Sequence, residues 1–363
     1  MKNILLLIPA LNAGGAERVM VTLANEWVKT ENVTLMVFND GESFYNLDRR
    51  VQIKAMNIMP KKGKVFRVIS IPQVEIRRFF FILKEILNRK YDLVLSFCFT
   101  ANIFAAIVSI LLKKEKIVIS ERNDPSAYVI WLKILFNILY KKCDTIVCQN
   151  QMVKDYYEKR HFKNRLVILP NPVNFDDIPP IHPGETTNEI VTVGRLVEQK
   201  NHKILIDAFS DIQNEYPEWK LKIYGKGPLE NYLRNLINEK GLENKVFLMG
   251  TKKRVMFEVN KSTIFVLSSN FEGFPNVLIE AMATGMPVIS SDFKTGIAKK
   301  LISSEENGYL FEVGNKEELV IAMRKLLKRK DEFSKIGKNN REKVLEYNEK
   351  DVAQKWMEVL FKK

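Results

Sequence analysis

The segment SSNFEGFPNVLIEAMATGMPVISSD, residues 268–292, decides how the chain is read. It follows a continuous apolar run, Ile264–Leu267, which reads as a strand buried on both faces. A polar loop ending at Glu272 comes next, and Gly273, Phe274, Pro275 and Asn276 predict a turn. Val277–Ala283 then reads as a helix and Val288–Ser290 as another strand. Strand, loop, helix and strand in so short a space make one βαβ step of a parallel sheet.

The same alternation extends in both directions. Going back from the segment, strands are expected at Ile190–Val193, Leu221–Tyr224 and Val246–Leu248, with helices at His202–Glu215, Gly227–Lys240 and Lys253–Asn260 between or after them. Beyond it lie Gly308–Phe311, the helix Lys316–Lys328 and an amphipathic tail helix, Glu349–Phe361. The first half repeats the texture, with strands at Ile4–Ile8, Val33–Phe38, Asp92–Phe97, Ile117–Ser120, Thr145–Cys148 and Leu166–Leu169. Between the halves, Pro170, Pro172, Pro179, Pro180, Pro183 and Gly184 form the best linker candidate. A length of 363 residues also favours two domains over one. The predicted fold class is α/β: two doubly wound, Rossmann-like parallel-sheet domains facing a cleft. In such sheets ligands bind outside the carboxyl ends of the strands, so the loops after strands are where function is expected.

Composition narrows the classes. Hydrophobic content of 46% with 28% charged residues describes a globular chain, not a disordered one. Cys98, Cys143 and Cys148 are too few and too irregularly spaced for a disulfide framework or a zinc site, and are expected to be reduced, buried thiols. The opening MKNILLLIPALNAGG reads as a first strand and glycine turn, not as a signal peptide. The longest uncharged apolar run, Ala101–Leu112, is too short to span a bilayer. The net charge is +14, and residues 1–180 carry most of it, with 27 basic against 17 acidic residues. The excess peaks between Lys61 and Lys90, where nine basic residues are interleaved with Phe66, Phe79, Phe80, Phe81 and aliphatic residues. Such a stretch suits an anionic membrane surface, or a core helix with a solvated basic face. No nucleic-acid-binding signature accompanies it.

Chemistry-bearing residues gather in three of the strand-following loops. In the first, a helix start at Asn276 offers backbone N–H groups to a diphosphate, while Glu280 and Glu272 can accept hydrogen bonds from hydroxyls of a ribose and a sugar. The plain alternative is acidic residues near a helix start. In the second, VGRLVEQKN, Gly194 ends a strand and Arg195 and Lys200 stand before the next helix, placed to neutralise a diphosphate without a metal. In isolation they would read as surface cations. In the third, PALNAGGAERV, Gly14 and Gly15 allow close approach of backbone to an anion. It is not G-x-G-x-x-G, and the chain has no P-loop, no D-x-D placed after a strand and no histidine cluster, so neither a dinucleotide nor a catalytic metal is expected.

The run E-G-F-P-N-V-L-I-E-A, with its glutamates eight apart, resembles the E-x7-E motif of family-four retaining glycosyltransferases of GT-B fold. G-R-L-x-x-x-K at 194–200 and the G-G-A-E-R turn at 14–18 match the same family in order and spacing, so the resemblance covers nearly the whole chain. It implies a nucleotide-sugar donor, with a UDP-hexose or UDP-N-acetylhexosamine expected, and no cofactor. By position it implies that Arg195 and Lys200 hold the diphosphate, Glu280 the ribose and Glu272 the transferred sugar. Gly273, Phe274, Pro275, Asn276 and Val277 would lie against phosphate and sugar, with Gly194 and Gly15 near the phosphates. Met249–Gly250 resembles the loop bordering the base, and Gly227 belongs to a G-x-G-P turn at the cleft edge. Arg195, Lys200 and Glu272 would carry the catalytic load.

The domains implied are 1–175 for the acceptor, 176–345 for the donor, and a helix at 346–363 bracing the first domain. Gly14, Asn102, Glu121 and Arg122 are placed on the acceptor side. Here the chain departs from its relatives. Where many carry a histidine, residues 120–124 read Ser-Glu-Arg-Asn-Asp, and the only histidines are His161, His182 and His202. Glu121 and Arg122 can instead bind acceptor hydroxyls or a phosphate, or form an ordinary ion pair at a strand end. The resemblance further implies retention by a front-face route and a glycan acceptor in cell-surface polysaccharide or glycan assembly. With the basic, aromatic first domain it suggests that the acceptor is linked to a polyprenyl diphosphate, on the cytoplasmic face of the membrane. Two rival classes share the fold: a non-hydrolysing sugar-nucleotide epimerase, which would need further acid/base groups, and a non-catalytic sugar-binding protein.

Overall fold

The computed structural model describes residues 1–59, 64–112, 116–122, 125, 128–162, 166–181, 187–303 and 305–362, without the side chains of 64–70, 262 and 263. The chain divides into two compact units: Met1–Pro172 with Glu349–Lys363, and Val173–Asn348. Pro183 and Gly184 of the expected linker lie outside the described residues, as do Lys61, Lys62, Asn123, Asp124 and His182.

Unit 1 is built on a parallel sheet of β1 (Asn3–Ile8), β2 (Asn32–Val37), β3 (Gln52–Ala55), β4 (Leu93–Phe97), β5 (Ile117–Ser120), β6 (Thr145–Cys148) and β7 (Leu166–Ile168), in the order β3-β2-β1-β4-β5-β6-β7. The central strands β1, β4 and β5 are buried and largely apolar because both faces are covered, whereas the edge strand β3, Gln-Ile-Lys-Ala, is not. Along β1, Ile4, Leu6 and Ile8 enter one core and Leu5 and Leu7 the other, following the two-residue period of a strand. Helix α1 (Gly15–Trp27) and the C-terminal helix α13 (Glu349–Phe361) lie on the first of these faces. There Trp27 donates to the Ala353 carbonyl at 3.0 Å, and Trp356, fully buried, donates to the Pro170 carbonyl at 2.8 Å. The long helix α2 (Lys64–Asn88), α3 (Phe99–Leu111), α4 (Ile130–Leu139) and α5 (Gln151–Glu158) complete the unit.

Unit 2 repeats the plan with β8 (Thr187–Val193), β9 (Lys220–Tyr224), β10 (Val246–Gly250), β11 (Ser262–Leu267), β12 (Val288–Ser291) and β13 (Gly308–Phe311), all parallel, in the order β10-β9-β8-β11-β12-β13. Its helices are α6 (His202–Ile212), α7 (Glu230–Glu239), α8 (Val255–Val259), α9 (Asn276–Ala283), α10 (Ile297–Leu301), α11 (Lys316–Leu327) and α12 (Phe333–Val344). In each sheet the strand order reverses once, between β1 and β4 in unit 1 and between β8 and β11 in unit 2. Reversal opens a crevice at the carboxyl ends of those strands, because their crossover helices leave to opposite faces. In unit 2 the two loops at that crevice are Gly194–Asn201 and Ser268–Pro275.

The three cysteines are free, with Cys143 and Cys148 buried and Cys98 half-buried. Among the described residues no helix is long and apolar enough to cross a membrane.

Candidate functional site

The crevice of unit 2 is assembled by close backbone packing that requires glycine. Gly225 has φ +146°, and a Cβ there would lie 1.9 Å from the Gly194 carbonyl oxygen. A Cβ on Gly227 would lie 2.4 Å from the Leu196 carbonyl oxygen. The loops after β8 and β9 therefore touch through bare backbone, tied by Gly194 N–H to Tyr224 O at 2.9 Å and Leu196 N–H to Lys226 O at 3.1 Å. Gly250, φ +69°, extends the contact by accepting from Gly225 N–H at 2.9 Å. Gly194, Gly227 and Gly250 thus belong to one packed corner, with Met249 half-buried beside it.

Over Gly194 runs the aliphatic stem of Lys200, whose Cγ and Cδ would be 3.2 Å from a Cβ at that glycine. The Lys200 ammonium reaches Glu272 Oε1 at 2.5 Å. Ser269 Oγ donates to the same oxygen at 2.6 Å, and Ser291 Oγ holds the Ser269 carbonyl at 2.6 Å. Both loops are clamped further. Asn270 N–H donates to Gln199 O at 2.7 Å, Gln199 Nε2 to Phe271 O at 3.0 Å, and Ser268 Oγ to Lys200 O at 3.0 Å. Residues 72 apart in sequence are thereby fixed against each other, and Glu272 is held buried. Sequence reading did not single out Ser269, Ser291, Gln199 or Asn270; the signal available was the Ser-Ser-Asn run directly after β11.

Gly273 and Phe274 lead to α9, whose capping position is taken by Pro275. No side chain caps this helix and its first turn carries no acidic group, so the positive end of its dipole is not offset locally. Asn276 and Val277 open the helix, and Glu280, buried, follows on its second turn. Arg195 is exposed and makes no ion pair with a described residue. Its carbonyl oxygen, by contrast, lies 3.2 Å from Nε2 of buried His202. Burial pushes the His202 imidazole down to about 4, so the ring is neutral at pH 7 and positions the Arg195 backbone. Chemically, this crevice offers one exposed guanidinium, one ammonium held by a carboxylate, an uncapped helix start and two buried glutamates. Such a set suits an anionic, hydroxyl-rich ligand.

In unit 1, Gly14 caps α1 and Gly15 is its first residue. A Cβ on Gly14 would collide with the Glu17 carboxylate, and Tyr45 donates to the Gly14 carbonyl at 3.1 Å. Asn102 is fully buried; its Nδ2 donates to Ser120 O at 2.9 Å and its Oδ1 accepts from Ser96 at 2.8 Å. It ties α3 to the ends of β4 and β5. Glu121, also fully buried, accepts from Arg122 N–H, Tyr128 and Tyr157 at 3.0, 3.2 and 3.1 Å. Arg122 lies 3.7 Å over the Phe97 ring and donates to Asn171 at 2.5 Å. Cys98 adopts φ +72°, and burial pushes its thiol up to about 12, which disfavours the thiolate. A depression of roughly 600 Å³ lined by Asn3, Asn32, Arg50, Arg89 and Tyr91 lies at the amino ends of the strands, the edge where doubly wound sheets do not place ligands. Among the described residues no cluster of three or more His, Cys, Asp or Glu could hold a metal ion.

Residues 13–177 match the model of Glycosyltransferase Family 4, and residues 174–343 that of Glycosyl transferases group 1. A Campylobacter jejuni α-1,4-N-acetyl-D-galactosaminyltransferase, named for a GalNAc-containing diphosphoundecaprenol substrate, is 31% identical over 99% of this chain and 98% of its own. The chain belongs to the family-four glycosyltransferases. A second C. jejuni relative of this glycosyltransferase is a diphospho-undecaprenol 4-α-N-acetylgalactosaminyltransferase, 29% identical over 93% of each chain. Solved structures share its GT-B fold. Anabaena HepE, solved with UDP and glucose, superposes with a TM-score of 0.83 over the full length of both chains at 19% identity. Sucrose-phosphate synthase from Thermosynechococcus elongatus gives 0.82 over 99% and 98% of the chains at 17% identity.

Proposed function

We propose that this glycosyltransferase moves a hexose or N-acetylhexosamine from a UDP-sugar, with retention at the anomeric carbon, to a hydroxyl of a polyprenyl-diphosphate-linked glycan in cell-surface glycan assembly. The observation that carries the donor half is the Lys200–Glu272–Ser269 cluster at the crevice where the sheet of unit 2 reverses, with Arg195 exposed beside it. In this reading the diphosphate lies against Arg195, Lys200, Gly194 and the start of α9, and Glu280 takes the ribose hydroxyls. Glu272 accepts from hydroxyls of the sugar, and Met249–Gly250 borders the base. The bond from the anomeric carbon to the β-phosphate oxygen breaks as the acceptor oxygen bonds the same face. The acceptor proton passes to the departing phosphate, whose growing charge Arg195 and Lys200 stabilise. No metal is required in this scheme, since two cations do the neutralising.

Unit 1 takes the acceptor in the same reading, with Gly14, Gly15, Asn102, Glu121 and Arg122 at or behind its site. The curated relatives support a lipid-linked acceptor, because both names contain diphosphoundecaprenol. Membrane docking on the cytoplasmic face follows from that acceptor and is supported by surface chemistry. Ile71, Ile76, Phe80 and Leu87 on α2 are exposed beside Arg77 and Lys84, whereas Arg78, counted in the basic stretch, is buried and donates to the Ile58 carbonyl. The denser apolar face is on α4: Ile130, Trp131, Ile134 and Ile138 are exposed, with Lys141 and Lys142 just after them and no acidic residue from 129 to 142. A panel of UDP- and GDP-sugars, read as slow donor hydrolysis and as thermal stabilisation, tests the donor assignment. Stabilisation by a UDP-sugar and not by its GDP counterpart is expected; indifference to every nucleotide sugar would refute it.

A further inference from the structure

At the carboxyl end of β5 a cation is held with one edge unused. The Arg122 guanidinium is fixed from two directions. Its face lies 3.7 Å from the Phe97 ring centroid and 5.7 Å from that of Trp356, and its Nη1 donates to Asn171 Oδ1 at 2.5 Å. The remaining donors, Nε and Nη2, are sealed from solvent and have no hydrogen-bond partner among the described residues. These two nitrogens share one side of the planar group, the side that grips an oxyanion with two parallel N–H bonds. The chain uses that same side elsewhere: Arg50 and Arg324 each direct Nε and Nη2 at one carboxylate, Asp48 and Glu215. At Arg122 the carboxylate that follows β5 is engaged elsewhere, because Glu121 accepts from the Arg122 backbone N–H, Tyr128 and Tyr157, and Nε and Nη2 reach no partner among the described residues. Burial lowers the Arg122 pKa to about 9, which still leaves it charged at pH 7.

Each buried donor without a partner carries an uncompensated desolvation cost. An apolar residue on the Phe97–Trp356 platform would avoid that cost. We infer that the Nε–Nη2 edge of Arg122 binds a phosphate oxyanion of the acceptor, gripped through two parallel hydrogen bonds, with Asn171 as the positioning residue that holds the guanidinium in plane. The assignment to the acceptor rests on the reading that unit 1 receives it. The edge is covered by the surrounding chain, so binding requires its neighbours to yield and is coupled to a local opening.

The test uses the full chain and geranyl diphosphate as a soluble polyprenyl diphosphate, measured by calorimetry against UDP. Arg122→Lys keeps the charge and removes the fork. Its affinity for geranyl diphosphate is expected to fall about tenfold or more, with UDP affinity within about twofold of wild type. Equal loss for both ligands would move the fork to the donor, and unchanged geranyl diphosphate binding would remove its role; either result overturns the proposal. The wild-type arginine Nε–H resonance assigned to Arg122 gives a readout free of any folding defect. It should shift with geranyl diphosphate and inorganic pyrophosphate but not with geraniol. A shift with glucuronate and none with pyrophosphate would assign the edge to a sugar acid and overturn it too. Donor hydrolysis by the wild type without acceptor separates the two readings: its absence would fault the transferase reading and not the fork.

Discussion

Replacing Lys200 by methionine removes the ammonium that lies 2.5 Å from Glu272 while keeping the aliphatic stem packed on Gly194. Glu272 then remains buried, with Ser269 as its remaining hydrogen-bond donor in this cluster. Breaking one half of a buried ion pair costs about 3–5 kcal/mol. Lys200 keeps 15% of its side chain exposed, so water relieves part of the cost and roughly 2–3 kcal/mol is expected for Lys200→Met. Glu272→Gln leaves the ammonium near the surface and should cost about 1 kcal/mol. The double variant restores neutrality and should cost less than the two singles together by about 1.5–2 kcal/mol. Hydrogen exchange of the β8 and β11 amides reports unit 2 by itself and supplies the four free energies of the cycle. A coupling below about 0.5 kcal/mol would refute the reasoning, because the pair would then behave as an exposed one. The cycle matters for catalysis as well, since any loss of turnover in a Lys200 variant must be corrected for this destabilisation before it is read as lost phosphate binding.

Glu272→Gln also frees Lys200 from its carboxylate, so UDP should bind about fivefold more tightly, on the order of 1 kcal/mol, by calorimetry; weaker binding would place the diphosphate away from Lys200. Trp131 is 62% exposed while Trp27, Trp219 and Trp356 are buried, so its fluorescence should blue-shift on anionic vesicles, less so in high salt, and Trp131→Ala should abolish the shift. His202 titrates near 4 when folded and near 6.5 when unfolded, so the unfolded chain binds the extra proton first. Stability should therefore be full above about pH 6.5 and fall by up to about 3 kcal/mol toward pH 4, and His202→Gln should flatten that slope in acid titrations followed by circular dichroism. Gly225→Ala should lower the unfolding midpoint by roughly 10 °C, because its Cβ would meet the Gly194 carbonyl at 1.9 Å; Gly241→Ala, with nothing within 4 Å, should cost far less.

Elements were legible where their pattern is strong and local. The apolar strands β1, β4, β5 and β12 stand where their runs placed them, within a residue, while β8 and β11 begin earlier, at Thr187 and Ser262, with their expected ends. The strand β3, Gln-Ile-Lys-Ala, was not foreseen, because a four-residue edge strand with mixed polarity carries little period-two signal. Helix α12 was also missed: Gly337 and two asparagines dilute its periodicity, and a Cβ at Gly337 would lie 2.1 Å from the Gly285 carbonyl, so close packing rather than propensity selects that residue. Among the site residues, Glu272, Lys200 and Gly194 stood out in their strand-following loops, and the family resemblance gave them roles. Ser269, Gln199 and His202 did not stand out, because serine, glutamine and histidine after a strand are common and their partners lie far away in sequence.

The amino-acid sequence by itself determined most of the order of strands and helices, the division into two α/β units and the loops that are candidates for chemistry, because hydrophobic period and turn residues act over a few neighbouring positions. Tertiary structure alone decided which loops meet. Only the strand order β10-β9-β8-β11-β12-β13 sets Lys200 against Glu272. Only the packing of α13 on the sheet of unit 1 places Trp356 beside Phe97 and Arg122, where one edge of a buried guanidinium has no partner among the described residues. Contacts between distant segments depend on the burial of whole faces, and no short window of sequence contains that information.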